Sequence, residues 1–306
     1  MSTKMIDYHD RMSVGLLSRL PSYDGAEVVV PAPGAGPGHW AGAASALLHD
    51  GVFWLTWRNR RPLGKGRGVS VVVARSADGV SFETFAEINR ETFGCESLER
   101  PALVPLPDGS GWRLYLSCAS WNSKHWWVDS LTAATPEELP TGVRKIVRPG
   151  DETLAVKDPV ITAGPEGWEM WLCYHSLTES GHEDRMVTHR LTSADGLDWV
   201  DHGEVLTGRA GQWDARGARV VTRLPDGSFL YDGRPDAASN WHENTGLAHW
   251  DGVRLSVDET VAPISSPHSD GAFRYASAVE LPDGRVRFYV EAARPDGAHD
   301  LITMVR

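Results

Sequence analysis

From Val156 to Ile161 the chain is apolar except for Lys157 and Asp158; Ala163-Gly164-Pro165-Glu166-Gly167 then breaks the run, and Met170-Trp171-Leu172-Cys173-Tyr174-His175 resumes it. Two apolar runs around a Gly/Pro turn predict a β-hairpin with buried strands. The turn recurs as Leu48-His49-Asp50-Gly51, Leu106-Pro107-Asp108-Gly109, Leu224-Pro225-Asp226-Gly227 and Leu281-Pro282-Asp283-Gly284, making five copies with the central one. Successive copies stand about 57 to 60 residues apart, and a fixed period of this size marks a repeat architecture. A second mark runs out of phase: Ser76-Ala77-Asp78-Gly79, Ser193-Ala194-Asp195-Gly196 and the degenerate Trp250-Asp251-Gly252-Val253. Asp-Gly supplies the positive φ of a tight turn, so each such mark joins a third strand to a fourth.

The N-terminal stretch behaves differently. Met12, Leu16, Leu17 and Leu20 have helix-like spacing within residues 7–20, predicting a short amphipathic helix in a lead over residues 1–22. Tyr23-Asp24-Gly25 and Glu27-Val28-Val29-Val30 then read as a turn and an outer strand over 23–30, while Asp300 to Val305 gives the last repeat only its third strand. The expectation is one all-β domain over 1–306. It is a five-bladed β-propeller with four-stranded antiparallel blades, its ring closed by the N-terminal strand, and such closure leaves few exposed strand edges.

Composition agrees with this picture and narrows the partners. Thirteen tryptophans, 31 glycines and 19 prolines in 306 residues suit a turn-rich β protein with aromatic packing between sheets. A formal net charge of −11 argues against nucleic acid as a partner. No apolar run approaches a membrane span and no signal segment is evident, so the expectation is no membrane partner and a cytoplasmic location. Cys95, Cys118 and Cys173 form an odd, widely spaced set that fits a reducing compartment, and Cys118 and Cys173 fall in apolar strands. Gly34-x-Gly36-x-Gly38 lacks the flanking strand and helix of a dinucleotide fingerprint. Gly64-Lys65-Gly66-Arg67-Gly68 could cradle a phosphate, but a solvated loop is the preferred reading.

In a propeller the starts of the inner strands meet at one mouth of the central channel. Here these are His39-Trp40, Glu99-Arg100, Lys157-Asp158, Asp214 with Arg216 and Arg219, and Arg274-Tyr275, faced by second-strand ends at Trp57-Arg58, Cys118, Tyr174-His175, Asp232 with Arg234, and Glu291. Carboxylates, guanidinium groups and aromatics gathered in one pocket predict a polar ligand site. Trp40, Trp57, Trp126, Trp127 and Trp241 are candidate stacking platforms, although tryptophans between blades more often pack. His175 reads as a substrate contact, a metal ligand or a satisfied core histidine, the last being the commonest case.

This pattern resembles the five-bladed propeller glycosidases of glycoside hydrolase families 43 and 32 and the mannoside-acting family 130. Lys157-Asp158-Pro159 matches the third-blade Asp-Pro whose Asp supports the transition state in families 43 and 32. Glu99-Arg100-Pro101 resembles the blade-two Glu-Asp-Pro-Arg of family 130, and Trp57-Arg58, Trp213-Asp214 and Phe288-Tyr289-Val290-Glu291-Ala292 resemble its segments in blades one, four and five. The departures are equally specific: Gly42-Ala43-Ala44-Ser45 stands where families 43 and 32 have an essential Asp, Gly217-Ala218 near their blade-four acid, and Arg100 in place of the family 130 Asp. The resemblance implies a small glycoside or polyol substrate and no organic cofactor, and leaves room for a calcium ion in the channel. Glycoside cleavage uses two carboxyl groups, one protonated; the candidates are Asp158, Glu99 and Asp214. The remaining candidate contacts, His39, Trp40, Trp57, Arg58, Arg100, Lys157, His175, Arg216, Asp232, Trp241, Arg274, Tyr275 and Glu291, would bind substrate. Three activities stay open: hydrolysis, phosphorolysis if Arg58, Arg100 and Arg216 bind phosphate, and a non-hydrolytic carbohydrate-binding or biosynthetic role.

Overall fold

The computed structural model describes residues 19–306, so all but the last two positions of the helix expected over 7–20 lie outside the described residues. After β1 (Glu27–Val30) comes a meander of β2 (Trp40–His49), β3 (Val52–Arg60), β4 (Gly68–Ser76) and β5 (Glu83–Asn89). A second meander holds β6 (Ser97–Pro105), β7 (Trp112–Ala119), β8 (Trp126–Ala133) and β9 (Val143–Arg148), and a third β10 (Leu154–Gly164), β11 (Gly167–Ser176), β12 (Val187–Ser193) and β13 (Val200–Thr207). The fourth has β14 (Ala218–Arg223), β15 (Phe229–Gly233), β16 (Asn244–Trp250) and β17 (Leu255–Val257), and β18 (Phe273–Glu280), β19 (Val286–Ala293) and β20 (His299–Val305) end the chain. The protein is all-β, built from four-stranded antiparallel units consistent with a propeller.

β1 pairs antiparallel with β20 through Glu27–Thr303, Val28–Ile302 and Val30–Leu301, so the strand expected from residues 23–30 does complete the last unit. One parallel contact, Trp40 with His299, continues that unit into β2 and joins it to the first meander as a single eight-stranded sheet.

The local causes are those of the sequence pattern. Asp50 and Gly51 both adopt left-handed φ, 51° and 75°, as a two-residue hairpin requires. At the out-of-phase marks, Asp78 Oδ1 accepts from the Val80 and Ser81 amides at 2.8 Å each, and Asp195 Oδ1 from Leu197 and Asp198 at 2.8 and 2.9 Å. The Asp side chain thus closes the turn itself. Tyr115 donates to Gly196 O at 2.7 Å and Tyr289 to Gly79 O at 2.8 Å, fastening one unit to the turn of its neighbour. Apolar clusters fill each gap between adjacent units; Trp171, packed on Phe229 and Trp250, anchors the one between the third and fourth. Burying one such side chain stabilises by about 2–3 kcal/mol.

Candidate functional site

Every inner strand carries one extra residue relative to its partner. The register slips between Gly42 and Ser45, Glu99 and Pro101, Lys157 and Val160, Val220 and Thr222, and Arg274 and Ser277. Ala43, Asp158 and Tyr275, which lie in these slips, have φ of 53°, 59° and 53°. A bulge re-aims neighbouring side chains, and here the residues at or just before it, Glu99, Lys157, Arg219, Arg274 and Tyr275, converge with Trp40 and Arg58 on one cavity of ≈ 140 Å³.

The cavity wall is a lattice of buried ion pairs. Arg58 Nε lies 2.7 Å from Glu99 Oε2, and its Nη2 donates to Glu291 Oε2 at 3.1 Å. Arg274 donates to Glu291 Oε1 at 2.7 Å and also to Glu243, whose other oxygen accepts from Arg234 at 2.7 Å. Arg219 donates to Asp158 Oδ2 at 2.7 Å, to Tyr275 Oη at 2.9 Å and to Asp232 Oδ2 at 2.9 Å. Its guanidinium carbon also sits 4.0 Å from the Tyr275 ring centroid. Trp40 stacks on His299 at 4.6 Å and lies between Arg274 and Arg60, at 4.6 and 4.0 Å.

These pairs decide the protonation states. Burial opposes charge on Glu99, but Arg58, Lys157 and Arg60 together outweigh it and hold the carboxyl below its ordinary range. Lys157 and Arg219 do the same for Asp158, and Arg274 with Arg58 holds Glu291 far lower, each against the cost of burial. Glu243 is depressed by Arg274 and Arg234, and Asp184 to about 2 by bonds from Arg216 and Arg234. Burial pushes Asp232 up, but its two oxygens are taken by Arg219, the Tyr275 amide and Thr245, and it lies outside the cavity lining. Burial, then Lys157, lowers His175 to about 3, so its imidazole is neutral. Glu99, Asp184 and Glu243 are therefore acceptors, and none of the three is poised to give up a proton.

Of the expected catalytic trio, Glu99 lines the cavity and Asp158 lies directly behind it, bonded to Tyr275 Oη at 3.3 Å. Asp214 does not join them: Arg209 and Tyr231 hold its carboxylate at 2.9 Å each, within the turn that leads into β14. Trp40, Arg58, Lys157, His175, Trp241, Arg274 and Tyr275 line the cavity as expected. Six expected contacts do not, Asp232 among them. Trp57 packs in the apolar cluster between the first and last units. His39 packs its ring against the Gly34 backbone. Arg100 points away from the cavity and donates to the carbonyls of Val221 and Ala276. Arg216 is clamped on Asp184, and Glu291 is wholly enclosed by Arg58, Arg274 and His299. The proposed phosphate trio of Arg58, Arg100 and Arg216 is thus not assembled.

Glu291 also explains the altered start of the first unit. A Cβ on Gly42 would meet Glu291 Oε2 at 2.2 Å, so the last unit's carboxylate fills the space a side chain there would need. Sequence reasoning missed Glu243, Asp184, Glu183, Lys124, Met186 and Asn240, which come from connections that no strand alternation indexes. It also read the Gly64–Gly68 loop as solvated, whereas Arg67, at φ 52°, extends into the lining, 5.4 Å from the Trp126 ring. Among the described residues no group of three His, Cys, Asp or Glu is placed to hold a metal ion, and the channel carboxylates are occupied by guanidinium groups, which does not fit calcium. No described helix is long and apolar enough to cross a membrane.

No family model and no curated protein matches the chain. Solved structures do match. Against a family 43 glycoside hydrolase of Xanthomonas citri complexed with xylotriose, the TM-score is 0.66 at 12% identity, over 96% of this chain and 93% of that one. A structure from family 130, described as mannoside phosphorylases that include hydrolases of β-1,2-mannosidic linkages, gives 0.57 at 14% over 93% and 95%. The Bombyx mori family 32 β-fructofuranosidase gives 0.63 at 12%, over 100% of this chain and 67% of that one. In fold, the chain is similar to the propeller glycosidases of families 43, 32 and 130.

Proposed function

We propose that the chain forms a closed five-bladed propeller whose central pocket binds a carbohydrate without cleaving it by two-carboxylate hydrolysis. The observation that carries this is the engagement of three of the four cavity-lining carboxylates by arginine. Glu99, Asp184 and Glu243 each meet a guanidinium within 2.7 Å, as does Asp158 behind them, and all four are held ionised. Glycoside hydrolysis needs one carboxyl protonated near neutral pH. Ala43 lies in the first bulge and Val221 in the fourth, so the two inner strands that depart from the glycosidase pattern offer no replacement acid. The fold likeness and the Trp40, Trp126 and Trp241 side chains in the wall support a sugar as ligand. A cavity of ≈ 140 Å³ suits one sugar ring rather than a polymer, since drug-sized ligand sites run to about 300–1,000 Å³.

The test is a panel of aryl glycosides, with and without inorganic phosphate, run beside calorimetric titration of free sugars. Binding without turnover is expected. Turnover of an aryl glycoside that Glu99→Gln abolishes would overturn the proposal and restore the hydrolytic reading; turnover only with phosphate would instead favour phosphorolysis.

A further inference from the structure

The groups around the cavity leave an unequal set of bonding atoms unused. Arg58 Nη1, Trp40 Nε1, Arg219 Nε and Arg234 Nε are buried without a hydrogen-bond partner, and all four can only donate. Against them, Asp158 Oδ1 is the one buried acceptor left unbonded among the described residues of this lattice. Charge points the same way. In a chain of net charge −11, seven cationic side chains line the cavity against four carboxylates. Lys157 has only a 3.5 Å contact to Asp158 Oδ2, an oxygen already held by Arg219 at 2.7 Å. Its ammonium sits 4.5 Å from the centroid of the Trp126 ring, and the exposed Lys124 lines the same cavity.

A neutral sugar meets such a wall poorly, because each hydroxyl that accepts a bond also brings a proton that needs an acceptor, and Glu99, Asp184 and Glu243 are already engaged by arginines. A carboxylate or phosphate ester accepts several bonds, donates none when ionised, and forms the stronger charge-assisted kind. Building on the carbohydrate reading above, we propose that the ligand is an acidic sugar whose anionic group takes the unused donors of Arg58 and Trp40 and the charge of Lys157. Its ring then packs beside the tryptophan faces.

The test is calorimetric titration of the full chain with glucuronate, galacturonate, glucose 6-phosphate, glucose, galactose and inorganic phosphate, at low and high salt. At least one acidic sugar should bind about tenfold or more tighter than its neutral parent, the order expected of a charge-assisted bond in a buried site. That advantage should shrink with salt. Lys157→Met should lower the acidic sugar's affinity by a larger factor than the neutral parent's; Lys124→Ala, at an exposed position, repeats the test with no risk to folding. Preference for a uronate identifies a carboxylate ligand, and preference for glucose 6-phosphate a phosphate ester. Equal affinity for glucuronate, glucose 6-phosphate and glucose would overturn the acidic assignment and leave the carbohydrate pocket standing. Inorganic phosphate binding as tightly as any acidic sugar would overturn it by assigning the donors to the free ion. No sugar binding at all would overturn both proposals.

Discussion

Replacing Arg58 by Met should destabilise the protein in a way that depends on pH. Arg58 is 1% exposed and bridges two carboxylates, Glu99 at 2.7 Å and Glu291 at 3.1 Å. Methionine matches much of its length and cannot carry the charge. Glu291 keeps Arg274 and His299, at 2.7 and 3.0 Å, so the larger loss falls on Glu99, left with the more distant Lys157. Breaking a buried pair by removing one partner costs about 3–5 kcal/mol, because the other charge stays buried. For a chain of this size that is roughly a 5–10 °C fall in Tm. In the wild type, Glu99 is held below its ordinary value, so it contributes stability above the unfolded pKa of about 4.5 that is lost as pH falls through the folded value. Without Arg58, burial dominates and raises the folded pKa, so the same group costs stability as pH rises. The gap between the proteins should therefore be widest near neutrality and close toward about pH 4. Urea denaturation across this range measures it. A second arm adds Glu99→Gln to Arg58→Met, which removes the stranded charge and should recover part of the loss. A gap that stays constant with pH, or a double variant no more stable than Arg58→Met, would refute the assignment of Glu99 as the ionised partner.

Gly42→Ala should be poorly tolerated, costing about 1–3 kcal/mol, because the new Cβ would sit 2.2 Å from Glu291 Oε2; thermal melting checks it. His175 is lowered to about 3, so as pH drops below about 6.5 the unfolded chain takes up a proton that the folded one refuses, and stability is lost. His175→Gln should accordingly lose stability less steeply than wild type between neutrality and about pH 4, read from urea midpoints. Trp57→Ala should cost about 3–5 kcal/mol, since Trp57 is buried between units. Trp241→Ala, at a 38% exposed position on the cavity, should leave Tm nearly unchanged and weaken sugar binding in the titration.

The turns at Asp50, Asp108, Gly164–Gly167, Asp226 and Asp283 set the register of the hairpins, and that register brought Glu99, Lys157, Arg274 and Tyr275 to one cavity. Position along a strand was therefore legible. Direction was not, because the side a residue faces changes at a bulge, and bulges have no fixed sequence mark. Arg100 shows this: it follows cavity-facing Glu99 in sequence, yet the slipped register turns it away from the cavity, onto two carbonyls. Asp214 failed for a different reason. It precedes β14 in a turn, where Arg209, only five residues away, captures its carboxylate locally. Glu243 and Asp184 were illegible because their place depends on loop paths between strands, and only the completed fold brings both to Arg234.

The five bulges divide each inner strand into two stretches of opposite parity. Before the slip, one set of alternate side chains lies on a given face of the sheet; after it, the complementary set does. The polar mouth and the packing surface below are thus written in separate reading phases of the same strand. Substitutions that retune the mouth need not disturb the packing, whereas deleting a single bulge residue such as Ala43 or Val221 would merge the two phases. Such a deletion would swing a whole row of mouth side chains into the walls between units, and for this architecture it is a graver change than any one replacement.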